Sequence, residues 1–248
     1  MKTVEAQYQH HLLIRKRHGT ARLGIEKNGS WHDDPRRLVF VLSRYKFVAR
    51  MLSGRDRVLE IGCGDAWPAR IVLQEVKSLH AVDIDPVFIR DAEERMDPRW
   101  PFTVAVHDML TGPVLPPFDA AYCLDVIEHI APENERSFLQ NAVDSLRDTG
   151  VLIIGTPSLQ SQRHASRLSK IGHVNCKDAH DLRSTMEKFF HSVFIFSMND
   201  EVVHTGFPMM AHYYFALCAH KKRRVDNRGR PPARGGKSRI ESRVTNPR

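Results

Sequence analysis

Four acidic residues recur through the first half of this sequence: Glu60, Asp83, Asp108 and Asp125. Each falls within or at the carboxyl end of a short run rich in apolar and β-branched residues: RVLEI (57–61), HAVDI (80–84), FTVAVHD (102–108) and FDAAYCLD (118–125). The first run opens into EIGCGDAWPAR (60–70), where Gly62 and Gly64 leave the backbone bare for close approach of a ligand. A pyrophosphate cradle of the GxGxxG type would need its third glycine at Trp67, where helix and strand must pack closely, and this argues against NAD or FAD. A carboxylate at Glu60 repels phosphate and suits a ligand with an amine and a sulfonium cation. Asp83 stands where nucleotide-binding sheets place an acid that accepts hydrogen bonds from both hydroxyls of a ribose.

Proton transfer has its own candidates among the 14 histidines. His129, in LDVIEHI, follows the fourth run directly; His173, in SKIGHVNCK, lies in the polar segment 157–180. An imidazole near an acceptor hydroxyl would serve as general base. The alternatives are a backbone-bonded residue starting a helix at His129 and a lid anchor at His173. Asp125, Glu128 and His129 form a D-x-x-E-H cluster, a donor set for a hard or borderline divalent ion, with a structural role as the alternative. Asp85 reads as the N-cap of a helix beginning at Pro86, and Asp119 as a turn residue.

These residues need a scaffold that brings the ends of successive strands together. Asp34-Pro35 predicts the start of a helix running to Gly54. Strands at 57–61, 80–84, 102–108, 118–125 and 150–156 then alternate with helices at 68–77, 86–96 and 132–146. Strict alternation predicts βαβ units and a parallel sheet. After a helix near 181–189, the runs SVFIFSM (192–198) and AHYYFALCA (211–219) have no room for a crossover helix between them, so they must pair antiparallel. The expected fold is α/β, a Rossmann-like doubly wound sheet of seven strands, mostly parallel, with an antiparallel C-terminal hairpin. Its expected divisions are an irregular segment at 1–33, one domain at 34–220 and a basic tail at 221–248.

The chain has 248 residues and a net charge of +8. Residues 221–248 hold eleven Lys/Arg against Asp226 and Glu241, a local +9 that leaves −1 for the rest. The tail is expected to be disordered, with weak binding to RNA or anionic lipid as the alternative. Nucleic-acid binding is otherwise not expected. No apolar run reaches the roughly 20 residues that span a bilayer, and the first residues lack the apolar core of a signal peptide. Cys63, Cys123, Cys176 and Cys218 form no CxxC pair and read as reduced thiols. A cytoplasmic location is expected.

In order and spacing, EIGCGDA, AVDIDP, HDM, FDAAYCLDVIEH and GVLIIGTPS resemble the class I S-adenosylmethionine-dependent methyltransferases. The likeness covers about residues 35–219 and is nearest to small-molecule O-methyltransferases of the ubiquinone-biosynthesis type and to those found beside bacterial glycan genes. It implies S-adenosylmethionine as cofactor. Glu60, Gly62 and Gly64 would line its methionine and ribose, Asp83 with Ile84 the ribose side, Asp108 with Met109 the adenine, and Leu124 with Asp125 the methionine. Some relatives with E-x-x-E-H hold a divalent ion there. The family loop usually continues to a third glycine, from which Ala66-Trp67-Pro68 departs. The implied function is methylation of a small polar acceptor, such as a sugar or phenol hydroxyl. A non-catalytic cofactor-binding partner subunit, and an RNA methyltransferase using the tail, remain as rivals.

Overall fold

The computed structural model describes residues 2–223. The basic tail expected at 221–248 lies outside the described residues from position 224 onward.

Apolar and polar residues at helical spacing build α3 (Arg36–Met51), with Asp34 accepting the Arg36 backbone N–H at 3.2 Å. β1 (Arg57–Ile61), β2 (Ser78–Asp83), β3 (Thr103–Val106), β4 (Phe118–Leu124) and β5 (Leu146–Pro157) follow as expected, joined through α4 (Ala69–Val72), α5 (Pro86–Glu94) and α6 (Pro132–Asp144). Asp85 caps α5, accepting the Val87 N–H at 2.8 Å. Beyond β5 come α7 (Arg167–Gly172), α8 (Ala179–Met186), β6 (Phe190–Asn199), β7 (Val202–His204) and β8 (Tyr213–Lys221).

The strands form one sheet in the order β3-β2-β1-β4-β5-β8-β6-β7. The first five are parallel, and β8 inserts antiparallel between β5 and β6. The alternating side chains of each strand divide the core into two layers, one per sheet face. In β4, Ala120 and Tyr122 join the layer of α3 and α4, with Tyr45, Val48 and Val72, while Ala121 and Cys123 join the layer of α6 and α8, with Phe138, Leu139, Leu182 and Met186. Strand order reverses between β1 and β4, and a crevice opens there at the strands' carboxyl ends.

Five details differ from the sequence reading, one being Asp119, which lies within β4 rather than in a turn and accepts the Arg57 N–H at 2.9 Å. The sheet has eight strands rather than seven, because the connection at 199–212 folds three residues back as β7 onto β6. The helix expected at 68–77 is a single turn: beyond Val72 the Glu75 carbonyl accepts the Gly54 N–H, and the Lys77 N–H turns to Arg55. The segment expected to be irregular carries α1 (Gln9–His18) and α2 (Ile25–Asp33). Strand β8 also continues one residue past the boundary expected at 220, with the Lys221 ammonium on the Leu146 carbonyl at 3.0 Å.

Candidate active site

The loop after β1 turns through Gly62 (φ 72°), Gly64 (φ 51°) and Ala66 (φ 49°). A Cβ at Gly62 would sit 2.2 Å from the Val126 side chain, so only glycine fits there. Ala66 adopts the left-handed conformation that a third glycine would take freely, at a cost of about 1 kcal/mol. The carboxylate of Asp83, at the end of β2, accepts the Gly64 N–H at 2.8 Å and the Asp85 N–H at 2.9 Å. Loop and acid are thus locked together.

A cleft of about 760 Å³ opens over this point. Its walls include Gly62, Gly64, Asp83, Ile84, Asp108, Met109, Leu124 and Asp125, and also Glu128, His129 and His173. Only Glu60, among the expected site residues, does not reach the cleft: it is 1 % exposed, behind the loop. There the Tyr45 hydroxyl donates to its carboxylate at 2.6 Å. Burial pushes the Glu60 carboxyl up to about 7, opposed by the Tyr45 and Tyr122 hydroxyls and by Lys27. Asp108 turns its carboxylate to the Leu110 N–H at 2.8 Å.

Several wall residues carried no signal in the sequence. Arg44, on α3, grips both oxygens of Asp125 at 2.9 and 2.8 Å and stacks 3.9 Å over the Tyr213 ring. Its Nε is buried without a hydrogen-bond partner. Asp125 holds a left-handed backbone (φ 57°), its N–H donating to the Gly155 carbonyl at 3.0 Å. Glu26 and Lys27 come from α2, which Asp65 ties to the glycine loop: its carboxylate accepts the Lys27 N–H and the Trp67 N–H, both at 3.0 Å. The Lys27 ammonium is buried against Glu26 at 2.8 Å. A helix expected to be irregular chain therefore supplies one wall of the cleft.

In the same cleft Glu128, His129 and His173 come together, a carboxylate oxygen and one nitrogen of each ring within 4.8 Å of one another. The D-x-x-E-H cluster does not assemble as the sequence spelled it. Asp125 is taken by Arg44, and His173 from the loop after α7 joins the group instead. His129 Nδ1 lies 2.9 Å from the Gly172 carbonyl, which can only accept, so the neutral ring has its proton on Nδ1 and its lone pair on Nε2. His173 Nδ1 meets the Gln162 side-chain oxygen at 2.8 Å, while the Gln162 amide donates to the Ser158 carbonyl at 3.3 Å. His173 Nε2 is therefore also free to accept. Burial and the neighbouring His129 hold His173 below the usual histidine range. Glu128 is 1 % exposed, and burial with the nearby Asp125 pushes it up to about 8; the Thr156 hydroxyl donates to it at 3.0 Å.

Residues 59–152 match the family described as "Methyltransferase domain", a span running from β1 into β5. No curated protein matches the chain. Among solved structures it is similar to N-methyltransferase NodS from Bradyrhizobium japonicum WM9, at 20 % identity and TM-score 0.58, covering 77 % of this chain and 99 % of that one. It is similar to the methyltransferase domain of bacterial CtHen1-C, at 16 % identity and TM-score 0.59, covering 73 % and 98 %. The DhpI–SAH complex aligns at 12 % identity and TM-score 0.60, covering 80 % and 93 %. At these identities the likeness is one of fold. The chain has the class I methyltransferase fold, and its segment 59–152 matches a methyltransferase domain across the strands that carry the glycine loop and the acids.

Proposed function

We propose that this chain is an S-adenosylmethionine-dependent methyltransferase acting on a hydroxyl of a small acceptor. The observation that carries the reading is the joining of Gly64 and Asp83 by one hydrogen bond in the wall of a cleft that is also lined by His129 and His173. NodS, a neighbour in fold, was also solved with S-adenosyl-l-homocysteine.

On this reading Asp83 accepts the ribose hydroxyls with Ile84 beside it, Asp108 with Met109 borders the adenine, and Gly62, Gly64, Leu124 and Asp125 border the methionine. Arg44 holds Asp125 in place there. When bound, the cofactor supplies a methyl group already activated on a sulfonium. The protein's own work is then alignment, exclusion of water and removal of the acceptor's proton. His129 and His173 each present a lone pair on Nε2 for that proton, and the low affinity of His173 for a proton keeps it ready at neutral pH. Glu60 acts through Tyr45 and the loop and does not touch the ligand.

The segment after β5 exposes apolar side chains next to two residues of the cleft. Leu168 (80 % exposed), Ile171 (68 %) and Val174 (55 %) adjoin Ser169 and His173 in sequence, and of these five Ser169 and His173 line the cleft. This favours a phenol-like acceptor over a sugar.

A second reading is favoured by the convergence at 4.8 Å: Glu128, His129 and His173 could hold a borderline divalent ion. Two imidazoles and a carboxylate fit such an ion, which would polarise an acceptor hydroxyl. Metal analysis after dialysis against zinc or magnesium separates the two readings. Stoichiometric metal lost in His129→Ala supports the second, and full turnover in chelator supports the first.

The test of the main reading is transfer of labelled methyl from S-adenosylmethionine to a panel of phenols, sugars and amines. Transfer to a phenol is expected. Transfer to amines alone would overturn the hydroxyl assignment.

A further inference from the structure

A second cavity, about 910 Å³, lies on the other side of Asp65, and none of its lining residues borders the first cleft. One wall is Asp65 to Pro68, the stretch whose bulk departs from the glycine pattern. The other walls are the end of α1 with the linker 19–22, and the loop 95–102 before β3. Its charge is lopsided: Arg17, Arg22, Arg70, Arg95, Arg99 and His18 face Asp65, Glu94 and Asp97.

Most of the acids are already engaged. Asp97 pairs with Arg99, and the Asp65 carboxylate is bound to backbone N–H groups. Arg95 pairs with Asp91 at 2.8 Å and donates to the Asp65 carbonyl. Arg17, Arg22 and Arg70 make no ion pair among the described residues. Arg70 is held in place by stacking, its guanidinium 3.6 Å over the Trp100 ring, and its Nη1 is buried with no hydrogen-bond partner. A guanidinium that lines a cavity with no acid to pair it gains a charge-assisted hydrogen bond from an anion bound there. Trp67, Trp100 and Phe102 add flat apolar surface beside that charge. Guanidinium donors next to indole faces match a phosphate attached to a planar base.

We propose that this cavity is a second ligand site that takes a nucleotide, with the phosphate on Arg70, Arg17 and Arg22 and the base against the tryptophans. The proposal does not rest on the methyltransferase reading, because the two cavities share no lining residue.

The test is isothermal titration of the full chain with guanosine 5′-monophosphate, with and without saturating S-adenosylhomocysteine. Guanosine, inorganic phosphate and a 5′-phosphorylated oligoribonucleotide serve as comparison ligands. One saturable site is expected, with guanosine and phosphate each weaker by about tenfold or more, since each lacks half of the contacts. Arg70→Gln should weaken binding about tenfold at an unchanged melting temperature. Trp100→Ala, on an exposed loop, provides a second variant and should weaken it about fivefold or more. Tighter binding of the oligoribonucleotide would identify the ligand as the end of a nucleic acid, and tighter binding of the mononucleotide as a free metabolite; either supports a nucleotide site. The proposal is overturned if neither ligand saturates at millimolar concentration. It is equally overturned if both variants bind as the parent does, or if S-adenosylhomocysteine displaces the mononucleotide.

Discussion

Two histidines that sit 44 positions apart in sequence form one edge-to-face pair, their ring centroids 5.0 Å apart. Each has its Nδ1 proton fixed by a carbonyl-type oxygen, so the pair is built to accept rather than to donate. Loss of a general base typically costs about 10²–10⁴ in turnover, and His129→Ala should do so with little change in cofactor affinity. Because His173 is held below 6.5, activity that depends on its neutral form should persist below that pH. A pH–rate profile whose acid limb centres above 6.5 would contradict this assignment. Glu60 makes a separate prediction about stability. Its carboxyl moves from 4.5 to about 7 on folding, so the fold holds this proton more tightly than the unfolded chain does. That contribution is complete below pH 4.5 and is lost as pH rises through 7, a change of about 3 kcal/mol. Glu60→Gln should melt near the parent at pH 4.5 and above it at pH 8, and equal pH slopes in thermal melts of the two proteins would refute the argument.

At the scale of elements, α2 is the part that sequence reasoning did not find. Its periodicity is weak, with Lys27 its buried residue, and its place is set by partners far along the chain: Asp65 on the Lys27 N–H and Asp91 on the Ile25 N–H at 3.3 Å. No local pattern announces such tethers. The strands were legible because each carries apolar side chains for both sheet faces, and Asp85 because its capping bond is local. That Gly62 and Asp83 would share a cleft was legible for another reason: both lie at strand ends, which any parallel sheet must gather. The opposite held for Asp125, whose carboxylate is claimed by Arg44 from α3, and for β7, three residues whose pairing depends on where β6 ends. The tether of α2 can be tested at Gly24, where an added Cβ would lie 2.2 Å from Asp65 Cγ. Gly24→Ala should release α2 and raise amide exchange at 25–33. It should also weaken S-adenosylmethionine binding about tenfold. Unchanged exchange would mean that the helix does not depend on this contact.

For the molecule as a whole, one sheet places a cleft at the reversal of strand order and surrounds it with pieces that run from Glu26 to His173. Among the described residues, no helix is long and apolar enough to cross a membrane. The account stands or falls on whether the cleft takes S-adenosylmethionine through Asp83. The direct measurement is isothermal titration of the full chain and of Asp83→Ala with S-adenosylmethionine, with NAD as comparison. The account predicts one saturable site for S-adenosylmethionine, no binding of NAD, and a loss of about 2–4 kcal/mol in the variant, because two ribose hydroxyls lose a charged acceptor. Asp83 also holds the Gly64 N–H, so Asp83→Asn, which keeps one carbonyl oxygen for that bond, should fall between the two. Absence of binding by the parent chain, or undiminished micromolar binding by Asp83→Ala, would contradict it.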